Sequence, residues 1–142
     1  MIRTLKISRI IPQQTIYNYI HKRNMSSTPS LPKFVVWAPD YTDEGALQRR
    51  LAVRPAHLEN IKNQINRGVL RVGGAFMTPE SVDAAAADRK FRGSCMIYEG
   101  ESVEAVRKLV EEDLYYKTDV WDKEKLVILP IALVTALPPV PS

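Results

Sequence analysis

Apolar and polar positions change their period several times along this chain, and each change predicts an element. Phe34-Val-Val-Trp-Ala38 is a short run rich in β-forming residues, which predicts a first strand buried on both faces and ended by Pro39-Asp40. Asp40 to Gly45 is polar and turn-like, and Ala46 to Leu51 predicts a short helical turn carrying Gln48, Arg49 and Arg50. Leu58, Ile61 and Ile65 then fall at i, i+3 and i+7, one face of a helix. Pro55 predicts its start, because a missing N–H costs nothing in a first turn, and Gly68 predicts its end.

Val69 to Val72 predicts a second strand, and Gly73-Gly74 in its continuation either admits a close neighbour or marks a bulge. Pro79 to Lys90, with its four alanines at 84–87, has no hydrophobic face and predicts a mobile loop with at most one helical turn. Alternation returns from Phe91 to Tyr98, with Ser94, Met96 and Tyr98 on one side and Cys95 and Ile97 on the other. Ser102 is the natural N-cap of a second helix whose inner face is Val103, Val106, Leu109 and Val110 and which ends near Asp113. The aromatic stretch from Leu114 to Trp121 either closes a pocket or packs into a core or partner. Leu126 to Val134 predicts the last strand, with Pro130 at an edge or a break, and residues 136–142 form a loose tail.

The order β-α-β-β-α-β is the split pattern of a ferredoxin-like α+β sandwich, an antiparallel four-stranded sheet with both helices on one face, spanning residues 33–135. Such a sheet leaves a face uncovered. Strands this apolar predict a homodimer that buries sheet against sheet.

Composition adds a compartment. The 142 residues, 45% hydrophobic and 25% charged, suit one soluble domain. Of the 20 Lys and Arg, six precede Phe34 and no acidic residue does, so the remainder holds 14 basic against 16 acidic residues, a net of −2. The net +4 of the whole chain therefore resides in its head, and the folded part lacks the cationic surface that nucleic acid requires. Residues 1–32, acid-free and hydroxyl-bearing with Ile and Leu among the basic residues, read as a mitochondrial targeting segment and linker, the alternative being a basic tail. A start at Met25 would give a cytoplasmic form. A fluorescent protein fused to residues 1–33 tests this, diffuse cytosolic signal counting against it. No run of 18 apolar residues suggests a membrane span. Cys95 is the single cysteine and reads as a core thiol. With His57 the one histidine beyond the head, no metal site or other cofactor is expected.

His57 is the candidate for chemistry. On a first turn begun by Pro55, the positive helix end would keep its imidazole neutral and able to act as a base. At 100° per residue it lies about 40° from Ile61, at the border of the apolar stripe.

Arg50-Leu-Ala-Val-Arg54-Pro55-Ala-His57-Leu58, then Gly68, a hydrophobic strand and Gly74, Gly93-Ser94, and Asp113 followed by Tyr115 together resemble the YCII-related (YciI-like) proteins. The resemblance implies a dimeric α+β barrel and a cleft with a histidine and an aspartate. The histidine would be His57 and the carboxylate Asp40, just after the first strand, with Asp113 as second candidate. A carboxylate on one ring nitrogen fixes the tautomer and stabilises the imidazolium formed when the other takes a proton. Arg50 or Arg54 would then hold an anionic, cyclic or phenolic substrate, or its enolate. Relatives in this resemblance include a dehydrochlorinase acting on a chlorinated hydroxyhydroquinone. The chain departs from the family at Ala75 and Leu114, where proline is common. Two readings follow, a small cofactor-free acid/base enzyme and a non-catalytic small-molecule-binding or stress-related module.

Overall fold

The computed structural model describes residues 30–141, so the expected targeting segment lies outside the described residues. Four strands, β1 (Lys33–Pro39), β2 (Leu70–Met77), β3 (Phe91–Glu99) and β4 (Val127–Pro130), form one sheet in the order β2-β3-β1-β4. Every neighbouring pair is antiparallel. Three helices accompany it, α1 (Ala46–Asn66), α2 (Val103–Glu112) and the single turn α3 (Leu114–Lys117). This is the ferredoxin-like α+β arrangement that the order of patterns predicts.

Alternation decides which side of the sheet is core. Phe34, Val36, Ala38, Met96 and Tyr98 point to the helices and are buried, together with Val106 and Val110 of α2. Each Phe, Val or Met among them contributes about 1.5–3 kcal/mol when fully withdrawn from water. The other face carries Trp37, Val72, Val127 and Leu129, and these remain exposed, Leu129 by 54%. The first strand is thus covered on one face rather than two, because both major helices cross the same side. Gly93 belongs to this bare side: a Cβ there would overlap the Phe76 ring and the Ala38 carbonyl, and without one Phe76 stacks on Trp37 at 4.0 Å.

Three further differences from the sequence expectation have local causes. Ala46 to Asn66 is a single helix of 21 residues with Pro55 inside it, not a short turn followed by a helix starting at Pro55. Pro55 cannot donate to Leu51, but both residues face solvent, where the orphaned carbonyl can be hydrated. The last strand stops at Pro130, at the sheet edge, with residues 131–141 irregular. They are tied down where Arg71 donates to the Pro138 carbonyl at 2.7 Å and Val140 packs on Gly68. The 79–90 excursion holds two 3₁₀ turns, Pro79–Ser81 and Ala86–Asp88, and the Ser81 hydroxyl accepts the Lys90 N–H at 2.9 Å. Register shifts flank the glycine pair, between Leu70 and Val72 and between Phe76 and Met77.

Candidate active site

The buried residues of α1 are Ala46, Arg50, His57 and Gln64. Seven residues are nearly two turns, so Arg50, His57 and Gln64 share one face, and that face points into the molecule. It is polar. The apolar residues expected to lie innermost flank it: Ile61 and Ile65 are half-buried, and Leu58 is 43% exposed. His57 consequently sits three turns into a helix, so the charge at the helix end has no part in its chemistry.

What holds the imidazole is Asp113. This residue leaves α2 in an extended conformation and caps α3, its Oδ1 accepting the Tyr115 N–H at 2.8 Å. The same oxygen lies 2.8 Å from His57 Nδ1, and Oδ2 accepts from the Asn60 amide at 3.4 Å. Asp113 is 1% exposed and His57 6%. With three donors converging on it, the carboxylate is fixed in place, and Nδ1–H is the tautomer it selects. The Tyr115 ring stacks on the imidazole at 3.7 Å, and Trp121 meets it edge-on at 6.0 Å. Nε2 has no hydrogen-bond partner among the described residues and is not sealed from solvent.

Asp40, the other candidate carboxylate, goes elsewhere. Its backbone N–H donates to the Arg92 carbonyl at 2.9 Å and its residue bridges to Trp121, which aims the side chain at α1. Both oxygens accept from Arg50 Nη1, at 2.7 and 2.9 Å. Burial pushes the Asp40 carboxyl above its ordinary value, and the Arg50 guanidinium pulls against that rise without cancelling it. Arg50 is itself buried, lies 4.6 Å over the Tyr115 ring, and donates from Nη2 to the Ser94 hydroxyl at 3.4 Å. It is therefore engaged on two sides, whereas Arg54 is exposed.

These groups surround a cavity of about 150 Å³ between α1 and the β2–β3 half of the sheet. Arg50, Arg54, His57, Leu58 and Ile61 line it from the helix, Leu70 and Gly73 to Ala75 from β2, Phe91, Ser94 and Met96 from β3, and Tyr115 from α3. Gly73 and Ala75 pair with Met96 and Ser94 and so face the cavity, and with no side chain larger than a methyl they keep this wall low, whereas Gly74 pairs with Cys95 on the bare face. Of the sequence candidates the structure unites His57 with Asp113, and Asp40 with Arg50, around one cavity. Ser94, Tyr115 and Asn60 were missed as site residues. The available signal was a serine on the core-facing register of β3. Among the described residues no group of three His, Cys, Asp or Glu is placed to hold a metal ion, and no helix is long and apolar enough to cross a membrane.

The fold is that of a small ferredoxin-like α+β domain, with a buried histidine–carboxylate pair beside a cavity of about 150 Å³. The YCII-related domain matches residues 33–128, and the chain belongs to that family. It is 36% identical over 89 residues to Protein YciI of Escherichia coli O6:H1, a match covering 63% of this chain and 87% of that protein. It is 38% identical over 71 residues to derivative of benzaldehyde biosynthesis cluster protein C of Emericella nidulans, covering 50% and 71%. Among solved structures it is similar to 5-chloro-2-hydroxyhydroquinone dehydrochlorinase (TftG) of Burkholderia phenoliruptrix AC1100 in complex with 2,5-dihydroxybenzoquinone. That similarity has a TM-score of 0.55 at 25% identity and covers 68% of this chain and 90% of the other.

Proposed function

We propose that this chain is a cofactor-free enzyme that moves a proton on a small planar ring metabolite, with His57 as general acid/base. The observation that carries the reading is the 2.8 Å contact of His57 Nδ1 with Asp113 Oδ1 beside the cavity, which leaves Nε2 as the working nitrogen. Size supports it: an apolar cavity of ~150 Å³ accommodates one benzene ring. So does wall chemistry, since Tyr115 and Phe91 offer aromatic surface and Arg54 an exposed guanidinium suited to an anionic oxygen. The neighbour in complex with 2,5-dihydroxybenzoquinone favours an oxygenated ring as the substrate class. Asp113 orients the imidazole and stabilises its protonated form; it does not take the proton itself.

His57→Ala would be an ambiguous test, because it strands the buried Asp113 carboxylate. His57→Asn is cleaner, since its amide nitrogen occupies roughly the Nδ1 position and can still donate to Asp113 while Nε2 is gone. Screened against hydroxyquinones and chlorinated hydroquinones, wild type should turn over at least one, and His57→Asn should lose about 10²–10⁴-fold in rate while staying folded. Equal rates in the two proteins would refute the acid/base role.

The sheet face bearing Trp37, Val127 and Leu129 supports a second part of the proposal, a homodimer joined sheet to sheet.

A further inference from the structure

The Ser94 side chain has a hydrogen-bonding geometry that the acid/base pair does not explain. Its Oγ receives the indole N–H of Trp121 at 3.2 Å and the Nη2–H of Arg50 at 3.4 Å. Neither partner can accept in return, because indole and guanidinium nitrogens only donate. Both lone pairs of Oγ are thereby occupied, and among the described residues the hydroxyl proton has no acceptor. Ser94 is 5% exposed, and it lines the same cavity as His57. A buried hydroxyl with an unspent proton costs roughly 1–3 kcal/mol unless an acceptor meets it.

We propose that Ser94 is the oxyanion donor of the site: its O–H binds a carbonyl or phenolate oxygen of the ring whose proton His57 transfers. Two donors on Oγ, one of them charged, polarise the O–H and make it a stronger donor than an isolated serine. When His57 Nε2 takes a proton from a ring carbon, the C–H pair moves into the ring and onto the carbonyl oxygen. Ser94 stabilises that developing enolate by a hydrogen bond and keeps its own proton, and the imidazolium returns the proton at another ring position, so the step needs no co-reactant. Asp40 and Arg50 are positioning residues in this scheme. Asp40 holds Arg50 through two contacts, and Arg50 holds Ser94. The inference rests on the acid/base reading for its proton but makes a separate claim about the ligand, which must carry an acceptor oxygen.

The test is calorimetric titration of the full chain with 2,5-dihydroxybenzoquinone, for wild type, Ser94→Ala, Ser94→Thr, Ser94→Cys and His57→Asn, each checked by circular dichroism. Wild type should bind. Ser94→Ala should bind about 10–100-fold more weakly, the range of a hydrogen bond to a charged acceptor. Ser94→Thr, which retains the hydroxyl, should stay within about threefold of wild type. Should the alanine variant fold poorly, Ser94→Cys fills the same space with a weak donor and should show the same loss. Binding of Ser94→Ala or Ser94→Cys within twofold of wild type would overturn the assignment, and no binding by wild type at millimolar probe would overturn the ligand class. A Ser94 effect in a protein whose His57→Asn variant turns over substrate normally would retain the donor and discard the acid/base reading.

Discussion

Asp113 Oδ1 receives two hydrogen bonds of equal length, 2.8 Å from His57 Nδ1 and 2.8 Å from the Tyr115 backbone N–H, so one oxygen both starts a helix and orients the imidazole. The ring of Tyr115, carried by that same helix turn, stacks on the imidazole at 3.7 Å. Capping and site assembly are one event, because the residue that terminates α2 chooses where the aromatic wall goes.

Removing this carboxylate should therefore have two separable effects. In Asp113→Ala the loss of a cap, about 1 kcal/mol, adds to a buried imidazole donor left unpaired, roughly 1–3 kcal/mol, for a combined loss of about 2–4 kcal/mol in urea unfolding. Asp113→Asn retains an acceptor and a competent cap and should lose less than half of that. Nitrogen-15 spectra should show His57 protonated on Nδ1 in wild type and as a tautomer mixture in Asp113→Ala. A wild-type ring protonated on Nε2 would contradict the arrangement.

Asp40 gives the site a pH signature with a definite sign. Its folded carboxyl titrates above 3.8 because burial outweighs the pull of Arg50, so folding takes up a proton in the interval above 3.8. The stability linked to this one group is complete below 3.8 and is lost as pH rises through the raised value. Carbon-13 titration of the Asp40 carboxyl should place its midpoint above 3.8, and a midpoint at or below 3.8 would show that the ion pair prevails. Asp40→Asn deletes the component but strands the guanidinium of Arg50, a buried group, and should cost about 3–5 kcal/mol.

The bare sheet face offers a test of assembly. Trp37 and Leu129, 44% and 54% exposed, lie on strands β1 and β4 that pair directly. If two copies meet there, Trp37→Lys combined with Leu129→Lys places four charges in the interface and should yield a folded monomer by light scattering, from a wild type of twice the 16.1 kDa chain mass. A wild type already monomeric at micromolar concentration would remove the proposal.

Legibility in the sequence varied with what each residue packs against. The second helix was readable because Val103, Val106, Leu109 and Val110 repeat at helical spacing and Ser102 caps it, and the structure has Val103–Glu112 with Ser102 Oγ accepting the Ala105 N–H. The first helix departs from its sequence pattern twice for one reason. Its inward face is Arg50, His57 and Gln64, so hydrophobic periodicity points to Leu58, Ile61 and Ile65 instead. Pro55 then looked like a start, because nothing in the local pattern reveals that Leu51 and Pro55 would both face water. For the carboxylate, position after the first strand favours Asp40 with Asp113 second, whereas the structure sets Asp113 against the imidazole and Asp40 against Arg50.

By itself the sequence determined the periods of its strands and helices, the caps at Ser102 and Gly68, and hence the ferredoxin-like order, because these depend on contacts within a few residues. It also singled out His57 and a short set of polar partners. Only the tertiary structure decided which partner goes where. His57 and Asp113 are 56 residues apart and Arg50 and Ser94 are 44 apart, and their meeting depends on how α1 is rotated over the sheet, which packing sets. It likewise revealed the free proton of Ser94, since a hydroxyl's remaining bond can be counted only when both donors that occupy it are in place.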